Sequence, residues 1–197
     1  MFEKLIKRIA HSLLFSVSHN FDVHHRIIFG VSMRWIWIDR FTEFQSGKKA
    51  KAVKNLSLAE DWCIEHFPGF PVMPACLLLE GLAQTGGILV GEANQFREKV
   101  VLAKISKAIF YGDAFPGQQL TYSAEILVLR AEGATVRGEI HNGSQAIAEA
   151  EIFFAHLDQN MSSKIFGNDN FVFGGELKSL LKMSHISTFD SSVAQGS

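Results

Sequence analysis

The sequence has little cysteine, little proline and no excess of charge of either sign. Two of its 197 residues are cysteine and four are proline. Two cysteines without metal-ligand spacing favour a reducing compartment over a disulfide scaffold, which predicts a cytoplasmic location. Nineteen basic against twenty acidic residues give a net charge of -1, so composition indicates no nucleic-acid footprint. No apolar run reaches the length that a membrane span requires.

The scarce prolines are concentrated in one place. Pro68, Pro71 and Pro74 precede a proline-free apolar stretch at residues 75–90. Each proline fixes its own φ and pushes its predecessor out of the helical region, so the lead-in should be stiff and irregular. Pro74 suits the first turn of a helix. Because apolar side chains point in every direction around residues 75–90, the pattern predicts a central helix buried on all sides.

Glu80 is the only side chain with a formal charge between His66 and Gly91. Burial favours the neutral acid, so a sequence shaped by stability alone would place Leu there. The pattern therefore predicts that Glu80 serves chemistry, as a general acid beside His66 as general base. The free amides at the helix start would polarise a carbonyl oxygen. The structural alternative is a core histidine and a carboxyl hydrogen-bonded to Gln84.

Residues 66–80 carry a motif of high specificity, HFPGxPxMPGxLxxE. Nine positions match it: His66, Phe67, Pro68, Gly69, Pro71, Met73, Pro74, Leu77 and Glu80. In this the chain resembles the 3-hydroxyacyl-[acyl-carrier-protein] dehydratases of bacterial fatty acid synthesis. The resemblance extends over residues 35–156, through WIDR at 37–40, AVKNLS at 52–57 and LAKISKAIF at 102–110.

The resemblance implies an α+β hotdog fold, a long antiparallel β-sheet wrapped around a central buried α-helix. It implies a homodimer, or a trimer of such dimers, whose active site takes the histidine from one subunit and the glutamate from the other. The activity implied is dehydration of 3-hydroxyacyl thioesters, linked to acyl carrier protein, to trans-2-enoyl thioesters without metal or organic cofactor. His66 and Glu80 would be catalytic. The substrate-binding residues implied are Gly69, Ala75, Cys76 and Gln84.

Three local features depart from the family pattern. Ala75 and Cys76 stand where the family usually has a glycine and a small apolar residue. Residues 110–112 stand where the family often has a pair of arginines that are thought to meet the acidic acyl carrier protein. Lys104 and Lys107 remain as basic residues nearby. Glu65 stands where the family commonly has glycine, and its carboxylate would either raise the pKa of His66 or face water. Cys76 is either a nucleophile with a lowered pKa or a small buried residue. The alternative functions are a hotdog thioesterase and a non-catalytic acyl-binding or scaffold subunit.

Alternating patterns predict strands over residues 35–44, 49–58, 100–111, 121–130, 135–141 and 144–157. Asn142 and Gly143 predict a hairpin turn, and Ala146, Ala148 and Ala150 predict one face closely approached by the helix. We expect three regions: an N-terminal amphipathic extension at 1–30, a hotdog dehydratase domain at 31–158, and a C-terminal extension at 159–197.

The N-terminal and C-terminal extensions have weaker sequence patterns than the domain between them. Residues 1–17 have helical periodicity with a basic face, which indicates a helix packed on the domain or resting on an anionic membrane surface. His19, His24 and His25 match no metal-ligand spacing even with Asp22 nearby. A short helix is expected at 176–184, and residues 188–197 are expected to be disordered.

Overall fold

The structure is a computed structural model that describes residues 36–157 and 175–184. The predictions made for residues 1–30, for the three histidines among them, and for residues 188–197 lie outside the described residues. Within the described part, no helix has the length and hydropathy needed to cross a membrane.

Six strands form one antiparallel sheet in the order β1-β2-β4-β5-β6-β3. The elements in chain order are β1 (Arg40–Gln45), β2 (Lys49–Asn55), α1 (Trp62–Glu65), α2 (Ala75–Ala93), β3 (Lys99–Phe110), β4 (Gln119–Arg130), β5 (Gly133–Asn142), β6 (Gln145–Leu157) and α3 (Gly175–Met183). The sheet packs around α2, which contacts β2, β3, β4, β5 and β6. The predicted hotdog architecture is confirmed.

Helix α2 begins directly after Pro74, whose ψ of 136° lies outside the helical region. It is buried from Leu77 to Gly91 with two interruptions, Glu80 and Ala83, and its first two residues are exposed. Cys76, Glu80 and Ala83 are spaced i, i+4, i+7 and therefore share one face of the helix, which we call the open stripe. The prediction of burial on every side was wrong for this stripe.

Glycines, more than alanines, allow the helix to lie close to the sheet. A Cβ at Gly86 would lie 3.2 Å from Cγ1 of Val136, and one at Gly138 would lie 2.6 Å from a methyl carbon of Leu82. The predicted alanine face is correct for Ala148 and Ala150, which are buried. It is wrong for Ala146, which is exposed because the β5–β6 register shifts after Ile140 and reverses the alternation.

The β5–β6 turn also differs from its prediction. Asn142 pairs with Gln145, so the turn residues are Gly143 and Ser144 rather than Asn142 and Gly143. Gly143 has φ of +57°, while Ser144 is outside the positive-φ region. Positive φ at the first central position alone is the pattern of a type II′ turn, for which glycine is the preferred residue.

The two edges of the sheet differ in what lies beside them. Helix α3 lies against β1, where the Phe41 N–H donates to Ser184 Oγ at 3.0 Å. Leu180 and Leu181 of α3 are buried in the same hydrophobic core as α2. At the other edge, the twelve-residue strand β3 pairs with β6 on one side and with no other strand of the described residues.

Candidate active site

His66 is held at the end of α1 by hydrogen bonds to both sides of the loop. Its backbone N–H donates to Trp62 O at 2.9 Å, and its carbonyl accepts from Val72 N–H at 2.9 Å. The imidazole Nδ1 lies 3.1 Å from Val72 O. A carbonyl oxygen can only accept, so Nδ1 carries the proton and Nε2 is the basic nitrogen of the neutral ring.

The four residues after His66 form a tight turn. Phe67 and Phe70 exchange two backbone hydrogen bonds, of 3.2 and 3.0 Å, around Pro68 and Gly69. Gly69 has φ of +79°, and proline followed by a positive-φ glycine is the preferred central pair of a type II turn. The structure therefore gives Gly69 a clear role in the backbone, and its contact with substrate stays a prediction.

Glu80 and Gln84 lie one turn apart on α2 and are hydrogen-bonded. Gln84 Nε2 donates to Glu80 Oε1 at 3.0 Å, and Gln84 Oε1 accepts the Trp37 backbone N–H at 2.8 Å. The first contact was predicted from the spacing of the two residues. The second was missed, and its only signal in the sequence is a glutamine within an apolar helix.

Ala75 and Cys76 form the first turn of α2, where backbone amides have no partner within the helix. The first intrahelical bond is donated by Leu77 N–H to Pro74 O at 2.9 Å. Partial covering of its sulfur raises the pKa of the Cys76 thiol, and the Glu80 carboxylate acts in the same direction. The lowered pKa considered for a nucleophilic Cys76 is therefore wrong. The alternative of a buried residue is wrong as well, because Cys76 as a whole is exposed.

The FabA-like domain model matches residues 32–151 of this chain. The chain belongs to the FabA-like family. The match covers more than half of the sequence and includes α1, α2, strands β1 to β5 and the first half of β6. It confirms the resemblance carried by the motif at residues 66–80.

Curated proteins similar to this chain agree with this assignment. The chain is similar to the 3-hydroxyacyl-[acyl-carrier-protein] dehydratase FabZ of Pelotomaculum thermopropionicum, at 37% identity over 122 residues. The alignment covers 61% of this chain and 87% of that protein. It is similar to the same enzyme of Listeria welshimeri, at 36% identity over 125 residues, covering 63% and 87% of the two chains.

Solved structures support the fold at lower identity. A conserved protein from Pseudomonas aeruginosa superposes with a TM-score of 0.51 at 18% identity, covering 60% of this chain and 87% of that one. A sigma28-regulated virulence protein from Campylobacter jejuni superposes with a TM-score of 0.50 at 14% identity, covering 65% and 90%. These likenesses establish the shared architecture alone.

The structure shows the exposure and the neighbours of the residues that depart from the FabA-like pattern. Glu65 is exposed and faces water. Tyr111, in the segment that replaces the basic run, is exposed, and loss of hydration together with the nearby Glu149 carboxylate raises the pKa of its hydroxyl. Lys107 Nζ lies 2.6 Å from the same carboxylate, so this lysine is already paired.

Three large apolar side chains within four residues of His66 are exposed. Ile64, Phe67 and Phe70 are 74%, 54% and 62% exposed. The Phe67 ring is stacked on His66 with centroids 4.1 Å apart. Large exposed apolar side chains beside a polar residue are typical of a surface that a ligand or a partner covers.

Neither cysteine forms a disulfide, since Cys63 and Cys76 are both free. Within residues 36–157 and 175–184, no cluster of three or more His, Cys, Asp or Glu side chains has the arrangement of a metal site.

Proposed function

We propose that this chain catalyses the dehydration of 3-hydroxyacyl thioesters to trans-2-enoyl thioesters. The observation that carries the proposal is Glu80, the only charged residue of α2 between Ala75 and Gly91, placed on the open stripe and hydrogen-bonded by Gln84. A stability-driven helix would place an apolar residue there. The names of the curated relatives and the motif that contains His66 support the same reaction.

His66 is the general base in this proposal. The α-proton at C2 of a 3-hydroxyacyl thioester is weakly acidic, so its removal needs a positioned base. The hydrogen bond of Nδ1 with Val72 O supports this role because it leaves Nε2 as the proton acceptor. The Phe67 ring stacked on the imidazole restricts its orientation.

Glu80 is the general acid. Hydroxide is a poor leaving group, so the C3 hydroxyl must receive a proton as its bond to carbon breaks. The backbone amide of Ala75 polarises the thioester carbonyl, where negative charge develops as the C2 proton leaves. The amide of Cys76, the next residue in the first turn of α2, would assist it. The products are a trans-2-enoyl thioester and water, and no cofactor takes part.

Two protomers build each site, with His66 from one and Glu80 from the other. A pairing of β3 with the β3 of a second copy would extend the sheet across a two-fold axis. The position of the long strand β3 at the edge of the six strands that the structure describes supports this arrangement. The exposed Phe67 and Phe70 would then be covered by the partner or by the acyl chain. A trimer of such dimers is the larger assembly that we propose.

The substrate is linked to acyl carrier protein in this proposal. Carrier proteins of this kind are acidic, so docking requires basic residues. Lys104 is exposed on β3, while Lys107 is paired with Glu149. A Lys104→Glu variant should lower kcat/KM several-fold for a carrier-linked substrate and leave turnover of a short synthetic thioester unchanged.

We also propose that the protein is located in the cytoplasm, and its two free cysteines support this location.

Incubation with a 2-enoyl thioester tests the function directly, because the reverse reaction adds water across the double bond. Loss of enoyl absorbance without release of free thiol is the expected result. Release of thiol would identify a thioesterase, and neither change would identify an acyl-binding subunit. If His66→Ala and Glu80→Gln each left the hydration rate untouched, the two catalytic roles would be wrong.

A further inference from the structure

Glu60 lies in the loop between β2 and the short helix α1, and its carboxylate contacts the elements on both sides. Its Oε1 lies 3.2 Å from Nζ of Lys54 on β2 and accepts the backbone N–H of Ser57 at 3.3 Å. Its Oε2 accepts the indole N–H of Trp62, the first residue of α1, at 2.9 Å. The carboxylate of Glu60 therefore joins the end of β2 to the beginning of α1.

The ion pair of Glu60 with Lys54 is more shielded from water than the pair of Glu43 with Lys51 elsewhere on β2. The Lys54 and Glu60 side chains are 13% and 19% exposed, against 41% and 47% for Lys51 and Glu43. Lys54 Nζ also lies 3.5 Å from Oδ1 of Asp39, so it faces two carboxylates. Because partly buried charges are screened less than exposed ones, Lys54 is a firm anchor on the sheet for Glu60.

Helix α1 needs such an anchor because it is a single turn. It has four residues, and a helix this short has little stability of its own in water. Its N-cap residue, Asp61, makes no side-chain capping hydrogen bond. Trp62 is 8% exposed and belongs to the hydrophobic core. The position of α1 therefore depends on the packing of the Trp62 ring and on the bond from its indole N–H to Glu60.

The position of α1 in turn sets the position of His66. The carbonyl of Trp62 accepts the backbone N–H of His66 at 2.9 Å, so the two ends of α1 are joined directly. The contact between Nδ1 and Val72 O, which leaves Nε2 as the basic nitrogen, depends on where this backbone lies. We propose that Glu60 is a positioning residue for the dehydration, which fixes Trp62 to β2 and thereby holds His66 in place. This inference rests on the proposed function.

Two substitutions break the connection at different points. Trp62→Phe keeps an aromatic ring in the core and removes the indole N–H that donates to Glu60. Glu60→Ala removes the acceptor of that bond together with the ion pair to Lys54. Neither substitution alters the side chain of His66 or Glu80. Trp62→Phe is the milder change, and it keeps the test decisive if Glu60→Ala does not fold.

The chain supplies a matched control for each kind of loss. Glu43→Ala also removes a carboxylate from a lysine of β2, but that pair joins β2 to β1 instead of α1. Ile88→Ala removes packing from the buried part of α2 and controls for a general loss of stability. Thermal unfolding of all four variants shows how much stability each has lost.

The experiment measures kcat and KM for hydration of a 2-enoyl thioester, together with the exchange of the His66 Nδ1–H with water by NMR. The absence of one imidazole N–H signal in His66→Ala identifies that proton. We expect Trp62→Phe and Glu60→Ala to lower kcat about 10-fold with KM nearly unchanged, because a misplaced base slows the proton transfer. The N–H should exchange several-fold faster, because a loosened loop opens more often. Glu43→Ala and Ile88→Ala should keep the wild-type kcat and exchange rate.

Folded Trp62→Phe and Glu60→Ala variants with the wild-type kcat and exchange rate would overturn the inference. A fall in kcat without faster exchange at His66 would overturn it as well, and so would equal effects in the two controls. Absence of hydration by the wild-type protein would instead overturn the proposed function. The exchange measurement would still show whether Glu60 and Trp62 hold His66 in place.

Discussion

The two ends of helix α2 have opposite surroundings. Its first turns carry the open stripe of Cys76, Glu80 and Ala83, whereas residues 84–91 are all buried. The C-terminal half presents Gly86 to Val136 and Phe154 of the sheet and buries Ile88 completely in the core. The N-terminal half of α2 can therefore meet a substrate, while the C-terminal half anchors the helix in the core. Substitutions at the two ends should therefore affect different measurements.

Glu80→Gln should have the largest effect on catalysis. It removes the acidic proton while keeping the size of the side chain and an oxygen that accepts from Gln84, so we expect hydration of a 2-enoyl thioester to fall by about a hundred- to ten-thousandfold. The free energy of unfolding should change little, because the site is half-buried and the hydrogen bond is kept. A fall in the free energy of unfolding as large as the rise in the activation free energy would contradict the distinction between the two ends of α2.

Ile88→Ala should show the reverse behaviour. Ile88 is 0% exposed, and truncating such a residue leaves a cavity that typically costs about 2 to 5 kcal/mol. Urea denaturation measures this loss, and the rate per folded molecule should stay close to wild type. A variant of wild-type stability with strongly reduced turnover would show that the buried half also acts on the chemistry.

Gly138→Ala tests the close contact between the sheet and α2. The added methyl group would lie 2.6 Å from a methyl carbon of Leu82 and 2.7 Å from its Cγ, so overpacking should cost about 1 to 3 kcal/mol in denaturant unfolding. Gly112→Ala is the control, because its Cβ would meet its nearest neighbour, Gln145, at an ordinary 3.5 Å. Equal stability of the two variants would argue against this contact.

Cys76 should give the smallest effect. Because its thiol pKa is raised, less thiolate is present at any given pH than in an ordinary cysteine, and alkylation should reach half its maximal rate at a higher pH. A Cys63→Ser background isolates the signal in a pH series with iodoacetamide. Cys76→Ser should keep hydration within about twofold of wild type, since no proton transfer involves the thiol. Rapid labelling at neutral pH would restore the nucleophile alternative.

Much of the fold could be predicted because it depends on local patterns. The alternation of apolar and polar residues predicted the ends of β4 and β5 to within two residues, and the prolines predicted where α2 begins. The short helix α1 was missed, because four residues are too few to show a period. The exposure of Ala146 was missed because a register shift depends on the partner strand and not on the strand's own residues.

The site was less accessible to sequence reasoning. The Gln84–Glu80 contact follows from helical spacing, which fixes neighbours one turn apart. The Trp37–Gln84 contact depends on how the chain returns to the helix after 47 residues, which no periodicity encodes. Likewise, the pairing of Lys107 with Glu149 links β3 to β6, and only the sheet register brings them together.

The most direct test of the shared His66–Glu80 site is complementation between two inactive variants. His66→Ala and Glu80→Gln subunits are unfolded together, refolded as a mixture and assayed for hydration of a 2-enoyl thioester. If each site takes one residue from each protomer, half of the randomly formed dimers regain one intact site, and activity should return to about a quarter of wild type. A mixture as inactive as its components would contradict a site shared between subunits.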